Sequence, residues 1–398
     1  MFNKKPPQAN LQNIINLYGQ GKLHQALTEI DQMLEQFPNS AMLYNFLGAT
    51  NSSLNQFFEA IESYKQAIKI KPDYAEAFNN MGIALERQGK PEEAIESYKK
   101  ALSQMPDYTK VYINMGNTLE GQGKLEEAIE SYKKALSINP NDAKAFWNLS
   151  GTAENISEAK NWIQQCLSAD QNHLKAKLTL SAFKYYEGDK SDFNDLMQSS
   201  LKNHSYMRSF AWAFSLPKLP ELFFRRWPLF DRIVEHSKKT RPFYEFGVWR
   251  GEAFRYLVQT FKKGYGFDTF KGIPEDWHHE KAGKYSSDGN VPQIEGGEFI
   301  VGKFENTLPA FFSVPRLKAS IINFDADLYS STICALNYSK PVIDNDTLLI
   351  FDEFLVNENW EQDEYRALCE FCIKNGCKYE VVAISFFSKQ VAVKLVGL

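Results

Sequence analysis

A period of 34 residues runs through the first third of this chain and decides its architecture before any local propensity does. Prolines fall at Pro38, Pro72, Pro106 and Pro140, and Gly48, Gly82 and Gly116 keep the same step. So do Ala60, Ala94 and Ala128, and Tyr64, Tyr98 and Tyr132. Four coincident columns describe one structural unit, repeated, in which each copy buries a face against its neighbour.

Each unit, as in the stretch from Pro72 to Met105, holds two helical patterns separated by a Gly-Lys turn, with small residues where helices approach closely. It resembles the tetratricopeptide repeat. Tyr44, Phe78, Tyr112 and Phe146 occupy that repeat's large-aromatic position, the glycines and alanines its small positions, and the prolines its inter-repeat position. Residues 4 to 37 form a degenerate first unit in which Ala26 keeps the step. Residues 140 to about 170 are a shortened unit, and 173 to 203 show only a helical pattern, as terminal copies often do. An all-α solenoid over residues 1–204 is the expectation. Its concave surface would take an extended protein or peptide partner. Asn80, Asn114 and Asn148 recur at the repeat step, at a position resembling the asparagine ladder with which repeat-containing sugar transferases grip peptide backbone. An amide offers both a donor and an acceptor, although solvated helix positions favour polar residues in any case.

A chain of 398 residues with 43% hydrophobic content has room for two or three folded units. A formal charge of −4 carries neither a basic nucleic-acid footprint nor an acidic tail. No run approaches the roughly 20 apolar residues of a membrane span, and Met1 to Leu17 is polar, so a cytoplasmic protein is expected. Five cysteines, unevenly placed, argue against a disulfide framework and for a reducing compartment. Cys369, Cys372 and Cys377 lack the fourth ligand of a structural zinc site, and the helix expected over 361–374 places the first two on its buried face.

Between Ser205 and Lys239 an aromatic, proline-punctuated stretch breaks the register. It reads as a helical connecting segment over 205–239, packing between domains or serving as a substrate lid. From Pro242 onward short apolar runs alternate with helical patterns. Strands are predicted near 243–248, 264–267, 299–302, 319–324, 347–351, 380–385 and 390–394, the last two too close for a helical crossover and so antiparallel. The second domain, 240–398, is therefore expected to be a doubly wound α/β fold, and seven strands with a closing hairpin resemble the Rossmann-like class I methyltransferase layout.

Acids and glycines gather at the predicted strand ends. Glu245, Gly247 and Gly251 lie at the first strand-to-helix turn, where backbone can approach a ligand, although a plain turn would look the same. Asp268 follows the second strand, 23 positions beyond Glu245, placed either to accept from ribose hydroxyls or to cap a turn. Asp325 and Asp327 follow the fourth strand; Asp352 and Glu353 follow the fifth. Four carboxylates in one crevice repel one another unless a cation is present, and hard oxygen ligands suit Mg²⁺ or a similar divalent ion. Such an ion would lower the pKa of a substrate hydroxyl and leave an outer carboxylate to take its proton.

The ordered strings EFGVWRGE, GFDTFKGIPEDW, FENTLP, DADLYSST and FDEF make the segment from Arg241 to about Glu370 similar to the macrocin O-methyltransferase family. The resemblance implies an S-adenosylmethionine cofactor held by Glu245, Gly247, Gly251 and Asp268, and a sugar or glycan-like hydroxyl as methyl acceptor. It implies metal ligation by Asp325, Asp352 and Glu353, with Asp327 as general base. The sugar enzymes of that family tend to carry an aspartate where this chain has Glu353, and frequently a histidine where it has Asn323. His278 and His279, beside Trp277 in the loop after the second strand, are candidates for a base or ligand, or for solvated surface. Two other readings stand beside the methyltransferase. Asp325-Ala326-Asp327 is also the pattern by which metal-dependent glycosyltransferases hold a nucleotide sugar, against which stand Glu245 and Asp268. A non-catalytic adaptor that kept the fold is the third.

Overall fold

The computed structural model describes residues 6–278, 280–287 and 289–398. They form two compact units, one ending at Leu149 and the other spanning Ser150–Leu398.

The first unit is a run of paired helices: α1 Gln8–Gly19, α2 Leu23–Gln36, α3 Ala41–Ser53, α4 Phe57–Ile70, α5 Ala75–Arg87, α6 Pro91–Gln104, α7 Thr109–Gly121 and α8 Leu125–Ile138, with α9, Ala143–Gly151, at its end. Every column of the repeat has a structural cause. The prolines follow the C-cap residues Phe37, Lys71, Met105 and Asn139 by one position, where a residue without N–H and with fixed φ cannot continue the helix. Ala60, Ala94 and Ala128 are fully buried, as are Tyr98 and Tyr132, with Tyr64 at 2% exposure. The glycine and tyrosine columns are one contact seen from two sides. A Cβ on Gly48, Gly82 or Gly116 would stand 2.5, 2.5 or 2.4 Å from Cε1 of Tyr64, Tyr98 or Tyr132. No side chain larger than hydrogen leaves room for the ring.

The second unit begins with α10, Ile156–Ala169, α11, Leu174–Tyr186, α12, Ser191–Met197, and α13, Ser205–Ser215. Helices over 150–204 thus fall with the sheet, whereas their helical pattern alone groups them with the repeats. Aromatic packing explains the grouping: Phe183 of α11 meets Phe224 edge-on at 5.4 Å, and Phe210 of α13 meets Phe386 at 4.6 Å.

The sheet strands are β1 Glu221–Phe223, β2 Phe243–Phe246, β3 Gly264–Asp268, β4 Gly297–Val301, β5 Ile321–Phe324, β6 Leu348–Phe351, β7 Lys378–Ser385 and β8 Val391–Val396. Their order is β1-β7-β8-β6-β5-β2-β3-β4. Only β8 runs antiparallel to its neighbours, β6 and β7. All seven predicted strands are present within a few residues. The eighth, β1, lies inside the segment read as a helical connector, and it adds to the sheet by pairing in parallel with β7. Three residues are too few for a period-2 pattern to show in sequence. Around it stand α14 Arg226–Glu235, α15 Glu252–Phe261, α16 Phe304–Phe312, α17 Tyr329–Ser339 and α18 Glu364–Asn375.

Strands β2, β5 and β6 are buried at every position, as a parallel sheet covered on both faces requires. One core joins Leu229, Phe230 and Ile233 of α14 to Phe243, Phe254, Leu257, Ile321 and Ile350. Chain order leaves β2 for β3 and β4 on one side and resumes at β5 and β6 on the other, so the order reverses between β2 and β5. Ligands in open α/β sheets bind beyond the strand ends at such a reversal.

Among the described residues no helix is long and apolar enough to cross a membrane.

Candidate active site

A rung of four phenylalanines crosses the sheet one residue before the acids and glycine of its carboxyl edge. Phe267, Phe246, Phe324 and Phe351 are register partners across β3, β2, β5 and β6. Their rings stack in a row, with centroids 4.8, 5.5 and 4.8 Å apart. The residues that follow them, Asp268, Gly247, Asp325 and Asp352, emerge together at the carboxyl edge. The strings GFD, EFG, NFD and IFD carry this rung in sequence, a signal that periodicity alone passes over.

Gly247 and Gly251 form the turn into α15, at φ +87° and +76°. A Cβ on Gly247 would meet the carbonyl oxygen of Asp325 at 1.8 Å, so glycine is required twice over, by conformation and by contact. Asp268 braces the same turn: its Oδ2 accepts from the backbone N–H of Val248 at 2.8 Å and Trp249 at 2.6 Å, and its Oδ1 from Phe270 at 2.7 Å. The turn-capping role is thus visible, and the carboxylate still lines the pocket.

One pocket brings together Glu245, Gly247, Asp268, Asp325, Asp327, Asp352 and Glu353. Of the expected site residues only Gly251 lies outside its lining, in the turn below. Glu245 is 1% exposed, and its Oε2 has no hydrogen-bond partner. Burial first, then the charge of Asp325, pushes its carboxyl well above the ordinary glutamate value. Asp327 is raised in the same way, by burial first and then by the charge of Asp325. Its backbone sits at φ +59°, a left-handed conformation costing a non-glycine residue about 1–3 kcal/mol.

The charges of the crevice are met from within the chain. Arg226, the first residue of α14, donates from Nη2 to Oδ2 of Asp325 at 3.3 Å and also to Oδ1 of Asp352. Burial works against its charge, but Asp352 and Asp325 outweigh that and hold its pKa above the usual arginine value. Gln390 donates to the same oxygen of Asp352. Glu353 accepts from Lys389 at 2.8 Å and Asn357 at 2.7 Å through Oε2. Glu364, fully buried, accepts from the N–H of Glu353 at 3.1 Å. Arg226, Lys389 and Glu364 were missed by sequence reasoning. For Arg226 the signal is an Arg-Arg pair inside the otherwise aromatic stretch FFRRWPLF. A paired charge there implies acidic company.

His278 does not line the pocket; its ring Nε2 pairs with Asp363 Oδ2 at 2.8 Å. His279 lies outside the described residues. Trp277 is buried with Ile273 and Leu328, which fastens the loop after β3 beside the crevice, and Trp249 Nε1 donates to the Ser286 carbonyl at 3.3 Å. In α18 Cys372 is buried and Cys369 half-buried.

An adenosyl cofactor fits these residues: a buried, unpartnered carboxylate oxygen on Glu245 wants a hydroxyl or ammonium donor, and the glycine turn lets backbone approach. The acids that would hold a divalent ion are instead paired with cations of the chain, Asp325 and Asp352 with Arg226 and Glu353 with Lys389. Among the described residues no group of three or more His, Cys, Asp or Glu side chains is gathered to hold a metal.

Comparison with known proteins supports the first unit. The family described as "Tetratricopeptide repeat" matches residues 73–141, and one described as "TPR repeat" matches 52–89. No curated protein matches the chain. Among solved structures, MamA is 24% identical, over 40% of this chain and 95% of its own, at a TM-score of 0.36. PilW, a type IV pilus biogenesis factor, is 21% identical, over 52% of this chain and 99% of its own, at 0.46. YrrB, a TPR protein with an unusual peptide-binding site, is 22% identical, over 42% and 88%, at 0.35. The first unit is a tetratricopeptide array, a scaffold suited to protein–protein interaction.

Proposed function

We propose that the second unit is an S-adenosylmethionine-dependent O-methyltransferase which the repeat array directs to a protein-borne or complex-borne acceptor. The observation that carries it is Glu245: a fully buried carboxylate with an unpartnered oxygen, at the strand-order reversal, beside a left-handed glycine turn. The strand order, with one antiparallel strand inserted next to the last, supports a class I methyltransferase fold. Glu245 and Asp268 would hold the nucleoside, with Gly247 and Gly251 admitting it. The bound cofactor supplies an electrophilic methyl group. Asp327 takes the proton of the acceptor hydroxyl, and Arg226 holds Asp325 and Asp352 in place. A sugar or glycan-like acceptor rests on resemblance to the macrocin family. Comparing the carbohydrate fractions of cells with and without the protein by mass spectrometry tests it: a methylation present only with the protein supports the reading, and identical fractions count against it.

A non-catalytic adaptor is favoured by a different observation, the pairing of Asp325, Asp352 and Glu353 with cations of the chain itself. If Asp327→Ala left the biological output of the protein intact, the adaptor reading would prevail. A glycosyltransferase would need Asp325 and Asp327 on a metal-bound nucleotide sugar, and Asp325 here faces Arg226.

A further inference from the structure

We infer that Arg226 is the resident cation of the carboxylate crevice, standing where the macrocin resemblance would place a divalent metal, and that the crevice binds its ligands without one. The inference rests on the crevice being the working site.

Two of the three acids expected to ligate a metal, Asp325 and Asp352, share the Nη2 of a single guanidinium. The third, Glu353, is engaged by Lys389 and Asn357. A hard divalent ion is held through one or two carboxylates, and at any of these three it would stand beside a guanidinium or ammonium whose positive charge opposes it. Arg226 is 26% exposed at its side chain, so solvent screens it only in part. It is also fixed from behind: it opens α14, whose Leu229, Phe230 and Ile233 are fully buried in the sheet core. The cation therefore comes with the fold, carried by the short β1–α14 segment, and requires no supply from solution. A planar guanidinium bridging two carboxylates fixes their orientation as a metal would, while offering no open coordination position to a substrate oxygen. Removal of the acceptor hydroxyl's proton would then fall to a carboxyl of the crevice, the role proposed above for Asp327.

The test is a titration of the full chain with Mn²⁺, free ion being read by electron paramagnetic resonance, on the natural protein, Arg226→Met and Arg226→Lys. The natural protein should bind no Mn²⁺ below millimolar concentration. Arg226→Met, which strands the acids without a counter-charge, should gain at least tenfold in Mn²⁺ affinity, and Arg226→Lys should behave like the natural protein. One Mn²⁺ per natural chain at micromolar affinity overturns the inference, as does an Arg226→Met variant that folds and binds no better. Should Arg226→Met fail to fold, the titration of the natural protein decides by itself. Calorimetry with S-adenosylmethionine in EDTA on the same samples separates this inference from the methyltransferase reading. Cofactor binding in EDTA supports both. Absence of cofactor binding together with absence of Mn²⁺ binding removes the methyltransferase and keeps the Arg226 assignment. Cofactor binding restored only by Mn²⁺ overturns it.

Discussion

The carbonyl oxygen of Asp325 occupies the place where a Cβ on Gly247 would project, 1.8 Å away, so the first turn of the crevice and its first acid are built against each other. Gly247→Ala should therefore open the turn from Asp325, destabilise the second unit by more than about 1 kcal/mol and weaken S-adenosylmethionine binding at least tenfold. Denaturant unfolding and calorimetry check both. Unchanged affinity would show that the turn does not shape the cofactor site.

In the repeats the equivalent relation is Gly82 against Tyr98, at 2.5 Å. Gly82→Val should cost roughly 1–3 kcal/mol through overpacking. Trimming the ring in the Gly82→Val, Tyr98→Leu double variant should recover part of that loss, a non-additivity that a double-mutant cycle reads directly.

The asparagine column has a structural task of its own. Nδ2 of Asn80, Asn114 and Asn148 donates to Oδ1 of Asn45, Asn79 and Asn117 at 3.2, 2.9 and 2.6 Å, joining adjacent repeats. Replacing Asn80, Asn114 and Asn148 with alanine should lower the array's stability by about 0.5–1.5 kcal/mol per bond. A triple variant that melts with the natural protein but loses partner capture would instead make the ladder a peptide grip.

Burial first, then neighbouring acids, raises Glu245, Asp325, Asp327 and Glu364 well above ordinary carboxylate values. The folded state thus holds protons that the unfolded chain releases. Stability from these groups is complete below the unfolded value of about 4 and is lost as pH rises through the folded values, by up to about 1.4 kcal/mol per pH unit for each group. Glu364→Gln should flatten that decline and stabilise the second unit at neutral pH. A stability-against-pH curve as steep as that of the natural protein would be the wrong result.

The legible parts of the sequence were those with a period or a strand-end signature. A step of 34 residues exposed the solenoid because each copy solves the same packing problem, down to Gly82 under Tyr98. Strands β2, β5 and β6 show as apolar runs because both faces are covered. Glu245, Asp268, Asp325, Asp327, Asp352 and Glu353 could be placed in one pocket because strand ends at a reversal converge. What stayed hidden depends on contacts remote in sequence. Arg226 lies 99 and 126 positions from the acids it pairs with, and no local pattern announces that. Likewise β1 exists because β7 offers an edge, and residues 150–204 fall with the sheet through rings such as Phe183 and Phe224. Acid repulsion in the sequence points to a divalent ion, whereas the charge that Asp325 and Asp352 meet in the fold is the guanidinium of Arg226.

Equilibrium dialysis of the full chain against radiolabelled S-adenosylmethionine, with a sugar nucleotide in parallel, tests the proposed function most directly. One S-adenosylmethionine per chain, weakened at least tenfold by Glu245→Gln and indifferent to EDTA, is the expected result. Retention of the sugar nucleotide instead, or of neither ligand at millimolar concentration, would contradict it.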